Sequence, residues 1–372
     1  MGVIKAGVVG LNRGSTLICK SKYCKKLKIE AVCDIDVNKA NHVAETYDIP
    51  KIYFDYDELL KTDVEAIIIA TPINLHTEHV LKAIKAGKHV LSEVIVATTI
   101  EDCKKIADAL KKSNKKYMMA ENYCYIRPIS IVKNMAKAGL FGEIYYAESD
   151  YLKDFQAYHP SFPNIGGWRQ PTYFGRRGHP YITHSLGPIA SIMDEKVSRV
   201  VCMAAGNSFN MKADNTCVLM CQTENDHMIR LRNSFVSPRP DNFTYYSIQG
   251  TKGCYQSAQG PTDFHKIHIN GLCKPNEWKN VYDFKEYIPK EWNMLPEVGD
   301  TSNTNDNDPY AIYDLGTPIM LDEFADCILN VDKKIPAGLS DAINWTITGI
   351  MSETSVENGF LPVDIPNLMN LL

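Results

Sequence analysis

A short apolar run that ends in a glycine-containing turn is the feature that most constrains this chain. Residues 4–9 read IKAGVV, and residues 10–14 read GLNRG before a stretch compatible with a helix. A strand, a tight turn and a helix start present backbone N–H groups and the positive end of a helix dipole to an anion. This geometry suits the pyrophosphate of a dinucleotide, although an ordinary strand–turn–helix without a ligand is the alternative. The predicted contacts are Gly10, Leu11, Asn12, Arg13 and Gly14.

The turn lacks the middle glycine of the full dinucleotide fingerprint, G-x-G-x-x-G. Asn12 is a plausible replacement because asparagine tolerates a left-handed backbone better than most residues. The next apolar run, Ile29–Cys33, ends in Asp34, 20 residues beyond Gly14. An acidic residue there holds a ribose 2′-OH and repels a 2′-phosphate, so NAD is expected rather than NADP. Arg13 could still pair with a phosphate, which keeps NADP open as the less favoured cofactor.

Strand and helix patterns alternate as far as residue 122. Val64–Ala70 is a continuous apolar run, typical of a central parallel strand buried on both faces. The alternation predicts a Rossmann-type, doubly wound parallel sheet, whose ligands lie at the carboxyl ends of its strands. Polar or turn-forming residues follow several of these strands and are further candidates for cofactor contact. They are Thr71, Pro72, Asn74, His76, Glu93 and Asn122.

From Tyr123 onward the alternation stops and longer strand patterns begin, such as Glu143–Ser149 and Val197–Ala205. Their lengths and spacing predict a second, α+β domain with a large, open, mostly antiparallel sheet and helices on one face. We therefore expect an NAD-binding domain over residues 1–122 and a substrate and oligomerisation domain over residues 123–372. The polar stretch Lys274–Pro309 is expected to be an insertion or a lid.

Composition excludes several classes of function. The net charge of −4 gives no indication of a nucleic-acid partner, and the chain has no apolar run long enough to span a membrane. The 11 cysteines are scattered without metal-ligand spacing. We therefore expect reduced thiols, a cytoplasmic location and no bound metal.

Two motifs resemble a known family. Thr71-Pro72-x-Asn74-x-His76 and the run AGKHVLSEV at residues 86–94 resemble the Gfo/Idh/MocA oxidoreductases, NAD(P)-dependent enzymes that act mostly on sugars and cyclitols. The resemblance implies cofactor and substrate contacts for these residues, and oligomer contacts through the second sheet. The family's lysine after the glutamate helps to move the proton of the reacting hydroxyl, but here Val94 occupies that position.

The middle of the chain resembles a subset of that superfamily, glycoside hydrolase family 109 and its relatives. The resemblance rests on Trp168-Arg169 and on the Y-x-T-H-x-L-G-P pattern at residues 181–188. It places Trp168 and Arg169 next to the nicotinamide. Tyr181 and His184, three residues apart, are predicted to share one helix face and to act as catalysts.

One departure from the subset adds two catalytic candidates. The subset carries Y-x-H-D after its first long strand, whereas this chain reads Tyr151-Leu152-Lys153-Asp154. Lys153 could replace the missing family lysine, and Tyr151 stands beside it. This change predicts a substrate other than the N-acetylgalactosamine of the subset.

The resemblance leaves three functions open. In the first, NAD takes a hydride from a sugar ring carbon, by resemblance C3, the C1 substituent is eliminated, water adds and the hydride returns. In the second, the same residues serve a plain NAD(P)-dependent sugar or cyclitol dehydrogenase. In the third, the chain is a dinucleotide-binding sensor without catalysis, for which Val94 is the best argument.

Overall fold

The first sheet is built from six parallel strands with helices between them. The computed structural model describes residues 2–154, 169–206, 212–239, 244–260, 262–294 and 316–368. The strands are β1 (Ile4–Val9), β2 (Leu27–Cys33), β3 (Lys51–Tyr53), β4 (Ala66–Ile69), β5 (His89–Ser92) and β6 (Tyr117–Met119). The helices are α1 (Leu11–Ser21), α2 (Val37–Thr46), α3 (Tyr56–Leu60), α4 (His76–Lys85) and α5 (Ile100–Lys111). The predicted Rossmann sheet is thereby confirmed.

The strand order creates a crevice at one edge of this sheet. The order is β3-β2-β1-β4-β5-β6, so the chain reverses direction across the sheet between β1 and β4. All four residues of β4 are buried, as expected of a central strand covered on both faces. Doubly wound sheets bind their ligands where the strand order reverses, outside the carboxyl ends of the strands. The turn that follows Val9 lies at this point.

The second sheet has nine strands and follows the first along the chain. They are β7 (Ile144–Leu152), β8 (Val197–Ala205), β9 (Thr216–Thr223), β10 (Met228–Ser234), β11 (Thr244–Gly250), β12 (Gly253–Gln256), β13 (Lys266–Ile269), β14 (Lys279–Asn280) and β15 (Val363–Asp364). Their order is β14-β13-β12-β11-β7-β10-β9-β8-β15. Strands β7 and β10 pair in parallel and the other neighbours are antiparallel, which confirms the predicted sheet type. The predicted division at residue 122 stays a prediction.

Four more helices complete the described fold: α6 (Arg127–Lys137), α7 (Thr183–Met193), α8 (Thr317–Leu329) and α9 (Leu339–Glu357). Helix α7 packs on β7, while α9 packs on β8 and also contacts β6 and α5 of the first sheet. Helix α9 therefore ties the two sheets together. Among the helices of the described residues, none is long and apolar enough to cross a membrane.

Two expectations about local structure are corrected. Helix α1 begins at Leu11 rather than near Ser15, because Gly10 turns the chain directly into the helix. The stretch expected to be an insertion or a lid is packed over its described part, residues 274–294, which does not suit a lid. Strand β14 pairs with β13, and Asn134 of α6 donates a hydrogen bond to the carbonyl of Tyr287 at 2.9 Å. Residues 295–309 of that prediction lie outside the described residues.

The cap of α5 offers a test of local stability. Thr99 Oγ1 accepts a hydrogen bond from the backbone N–H of Asp102 at 3.1 Å. Thr99→Ala is expected to lower the free energy of unfolding by about 1 kcal/mol, because an orphan helix donor loses its partner. Urea denaturation of both variants checks this, with Thr99→Ser as the control that keeps the hydroxyl. An equal loss in the serine variant would contradict the capping role.

Candidate active site

The glycine turn forms a cradle at the crevice. Gly10 has a φ of 86°, and a Cβ there would lie 2.7 Å from backbone atoms of Ala70 and Thr71. The backbone N–H of Leu11 donates to Asp34 Oδ2 at 2.7 Å, and that of Asp36 donates to Oδ1 at 2.9 Å. The turn is thereby fixed against both the end of β4 and the acidic residue after β2.

This cradle fits a dinucleotide. No Cβ fills the space at Gly10, and the first turn of α1 carries no acidic side chain to repel a phosphate. Each carboxylate oxygen of Asp34 accepts one backbone bond and keeps further acceptor capacity for a ribose hydroxyl. An acidic residue at this position favours NAD over NADP.

Three predicted contacts of the crevice take part in polar pairs. Arg13 Nε lies 2.9 Å from Glu93 Oε1, which joins the glycine turn to the residue after β5. Lys39 Nζ donates to Asn12 Oδ1 at 2.8 Å. The structure therefore brings Asn12, Arg13, Asp34 and Glu93 to one edge of the first sheet, where α1 begins.

The turn after β4 is held from inside by His76. This side chain is fully buried, and its ring nitrogens lie 2.8 Å from the carbonyl oxygen of Ile95 and 3.0 Å from that of Thr71. Burial lowers the pKa of His76, so its neutral form is favoured. Pro72 is half-buried and Asn74 is exposed at the crevice. The geometry gives His76 the role of fixing the turn, and a direct contact with a cofactor does not fit its burial.

A hydrogen-bonded chain of three side chains lies beside this edge. Tyr181 Oη is 2.9 Å from His184 Nε2, and His184 Nδ1 is 2.7 Å from Glu121 Oε1. Glu121 directly follows the residue after β6 and is fully buried, and His184 lies in the first turn of α7. Tyr181 precedes α7 instead of lying on it, so the predicted shared helix face is wrong although the two side chains do meet.

The partners fix the protonation pattern of His184. An ionised carboxylate can only accept hydrogen bonds, so Nδ1 carries the proton that faces Glu121. Nε2 is then the acceptor, and the hydroxyl of Tyr181 donates to it. The second carboxylate oxygen of Glu121 has no partner among the described residues. The three hydrogen-bonded side chains can therefore pass a proton from Tyr181 to His184.

Aromatic rings surround His184. The ring of Tyr123 lies 4.4 Å from the imidazole and that of Tyr151 lies 5.1 Å from it, centroid to centroid. Tyr246 Oη donates to the backbone carbonyl of His184 at 2.7 Å. Tyr173 packs edge-on against Tyr181 at 5.0 Å. The imidazole is thus packed between aromatic rings, and His184 is buried.

Electrostatics link this cluster to the cofactor edge. Burial raises the pKa of Tyr181 well above its ordinary value, and the nearby phenols of Tyr173 and Tyr151 and the carboxylates of Glu93 and Glu121 raise it further. Glu93 also contributes to the raised pKa of Tyr173. The phenols therefore lie within electrostatic reach of the residue that follows β5.

The remaining candidates are placed as follows. Lys153 directly follows β7, and its backbone N–H donates to the carbonyl of Ser234 at 2.9 Å. Arg169 is close enough to Tyr173 to oppose the rise in the pKa of that phenol. Asn122 is buried at the end of the first sheet. Trp168 lies outside the described residues.

Sequence reasoning missed Glu121 and Tyr173 as site residues. Glu121 lies at the carboxyl end of a predicted strand, the same signal that singled out Asn122. Its approach to His184 requires Gly187, since a Cβ there would lie 3.0 Å from Glu121 Cγ. Tyr173 belongs to a π-helical turn, Gln170–Phe174, for which no sequence pattern gave a signal.

The described fold is a parallel Rossmann sheet followed along the chain by an open, mostly antiparallel sheet. Residues 4–121 match the family model described as the oxidoreductase family, NAD-binding Rossmann fold, GFO_IDH_MocA. Residues 204–370 match the C-terminal domain of glycosyl hydrolase 109. The chain therefore carries a Gfo/Idh/MocA-type NAD-binding domain followed by a C-terminal domain of the glycosyl hydrolase 109 type.

Similar proteins agree with this assignment. A glycosyl hydrolase family 109 protein of Saccharopolyspora erythraea is 27% identical over 98% of this chain and 83% of the relative. An alpha-N-acetylgalactosaminidase of Shewanella oneidensis is 24% identical over 99% of this chain and 85% of the relative.

Solved structures share the whole fold. An oxidoreductase domain protein from Kribbella flavida superposes with a TM-score of 0.82 at 17% identity, over 98% of this chain and 100% of the other. A levoglucosan dehydrogenase in complex with NADH and L-sorbose gives 0.81 at 18% identity, over 99% and 100%.

Proposed function

We propose that this chain cleaves a glycoside by NAD-dependent oxidation of a sugar ring carbon, C3 by family resemblance, with the cofactor restored in each turnover. The observation that carries the proposal is the Tyr181–His184–Glu121 chain beside the edge that holds the dinucleotide turn. Oxidation of an alcohol requires a group that takes the hydroxyl proton. This chain of side chains supplies one although Val94 replaces the family's lysine.

The bound NAD supplies a hydride acceptor for the ring carbon. Tyr181 alone is a poor base, because burial raises the pKa of its hydroxyl and keeps it protonated at neutral pH. It can receive the substrate proton only while its own proton moves to His184 Nε2. The imidazolium that results is stabilised by Glu121, 2.7 Å from Nδ1.

Loss of the C1 substituent requires a second proton transfer. A carbonyl at C3 acidifies the C–H bond at C2, and a base must remove that proton. The ring of Tyr151 packs on His184. Lys153 follows Tyr151 by two residues, so a continuation of β7 would place both side chains on the same face of the sheet. We propose these two residues for the second transfer and for orienting the leaving group.

A panel of aryl glycosides with a catalytic amount of NAD tests this function. Release of the aryl group without accumulation of NADH, with solvent deuterium entering C2, is the expected result. Sustained NADH accumulation with a free sugar or cyclitol would support the dehydrogenase instead. Binding of NADH without turnover on either panel would support the sensor. The panel includes α-N-acetylgalactosaminides, because one relative carries that activity in its name.

We also propose that the chain forms a homo-oligomer through the open face of the second sheet. Val201 pairs with Met220 and Met203 with Val218 on neighbouring strands, at the less buried of the alternating positions. Met203 is 61% exposed, which is unusual for an apolar side chain in a sheet. A self-complementary apolar patch of this kind suits a two-fold interface. Met203→Glu should shift the mass measured by light scattering toward the monomer.

A further inference from the structure

The ion pair between Arg13 and Glu93 crosses the cofactor crevice. Arg13 lies in the first turn of α1, which follows β1. Glu93 is the residue directly after β5. In the sheet, β4 lies between β1 and β5. The 2.9 Å bond from Arg13 Nε to Glu93 Oε1 therefore passes over the carboxyl end of β4. That end is where the strand order reverses and where such sheets bind a dinucleotide.

The pair is partly shielded from water and held on both sides. The side chains of Arg13 and Glu93 are 34% and 13% exposed. Glu93 Oε2 also accepts a bond from the backbone N–H of Val94 at 3.3 Å, which anchors the carboxylate to its own loop. Arg13 is anchored by the helix that begins at Leu11. The two ends of the bond thus belong to two different walls of the crevice.

The chemistry of both groups suits a dinucleotide as well as each other. A guanidinium pairs with an anionic pyrophosphate, and a carboxylate accepts bonds from ribose hydroxyls. We infer that Arg13 and Glu93 form a clasp that closes over the crevice of the cofactor-free chain. Entry of the dinucleotide exchanges this ion pair for contacts with the cofactor. The inference rests on the NAD-binding domain and not on the proposed reaction.

The clasp makes a kinetic prediction about cofactor entry. A partly exposed ion pair stabilises the closed crevice only modestly. The need to break it should therefore slow NADH association by roughly threefold to fivefold. Glu93→Gln removes the clasp but keeps the guanidinium of Arg13, and it should accelerate NADH association by that factor. In a chain that already carries Arg13→Gln, the same substitution should change the rate little, because no clasp is left to open.

Stopped-flow NADH fluorescence on the full chain, freed of copurified dinucleotide, measures these rates for both single variants and the double variant. Glu30→Gln is the matched control, since it breaks the Lys28–Glu30 pair of β2 with the same change in charge. It should leave the association rate unchanged.

Three outcomes would overturn the clasp. One is an equal acceleration by Glu93→Gln in both backgrounds, which would show simple repulsion between Glu93 and the phosphates. The second is an NADH association rate that Glu93→Gln does not change. The third is failure of the unmodified chain to bind NADH. Turnover is not the readout, because the charge of Glu93 also raises the pKa of the phenols of Tyr173 and Tyr181. A chain that binds NADH with the expected rates but cleaves no glycoside would refute the proposed function and leave the clasp standing.

Discussion

Tyr181→Phe is expected to lower turnover by roughly 100- to 10,000-fold while NADH binds as tightly as before. The substitution removes the hydroxyl that lies 2.9 Å from His184 Nε2 and keeps the ring that packs against Tyr173. Without it, a substrate hydroxyl has no relay to the imidazole. The loss should fall on kcat rather than on KM, because the missing transfer occurs in the transition state. Steady-state kinetics on an active aryl glycoside and NADH titration measure the two effects.

The second sheet contains a matched control for this substitution. Tyr255 Oη on β12 lies 3.0 Å from Nδ1 of His265, the residue directly before β13, so this phenol–imidazole pair has nearly the same hydrogen-bond distance. Tyr255→Phe removes an equivalent bond and should leave kcat unchanged. Glu121→Gln adds a second comparison, because an amide no longer stabilises an imidazolium and kcat should fall while NADH binding persists. Turnover within twofold of the unmodified chain for Tyr181→Phe would exclude the proton relay.

The first domain could be predicted from the sequence because its signals are local. A continuous apolar strand, a glycine turn and a helix cap each depend on a few neighbouring residues, and parallel sheets with crossover helices follow few connection rules. The buried strand β4 follows directly from such a pattern, the continuous apolar run Val64–Ala70. The early start of α1 did not, because it depends on the backbone angle that Gly10 adopts against Ala70.

The catalytic cluster could be predicted only in part. The spacing of Tyr181 and His184 suggested that they meet, but a shared helix face was the wrong reason. The phenol reaches the imidazole from the segment before α7, where aromatic packing holds it. Glu121 lies 63 residues from His184 along the chain. Their contact depends on how α7 packs at Gly187, which no local period encodes.

Gly10→Ala is expected to weaken NADH binding by roughly 10- to 100-fold and to destabilise the first domain. The residue has a φ of 86°, which costs an alanine about 1 kcal/mol or more. A Cβ at 2.7 Å from the backbone of Ala70 and Thr71 forces the turn away from β4 as well. The turn carries the backbone N–H groups that are expected to bind the pyrophosphate. If their displacement lowers the binding free energy by about 1.4 kcal/mol, the affinity falls about tenfold. NADH fluorescence titration and urea denaturation measure both effects.

Gly139→Ala is the control that separates the cost of a positive φ from the cost of a steric clash at the new Cβ. Gly139 has a φ of 75°, but a Cβ there would meet nothing within 4 Å. This variant should lose about 1 kcal/mol of stability and bind NADH normally. If Gly10→Ala does not fold, Gly14→Ala is the milder probe, because its Cβ would meet side chains and no backbone, the nearest being Val8 Cγ1 at 2.9 Å. Unchanged NADH affinity in a folded Gly10 or Gly14 variant would show that the glycine turn does not hold the cofactor.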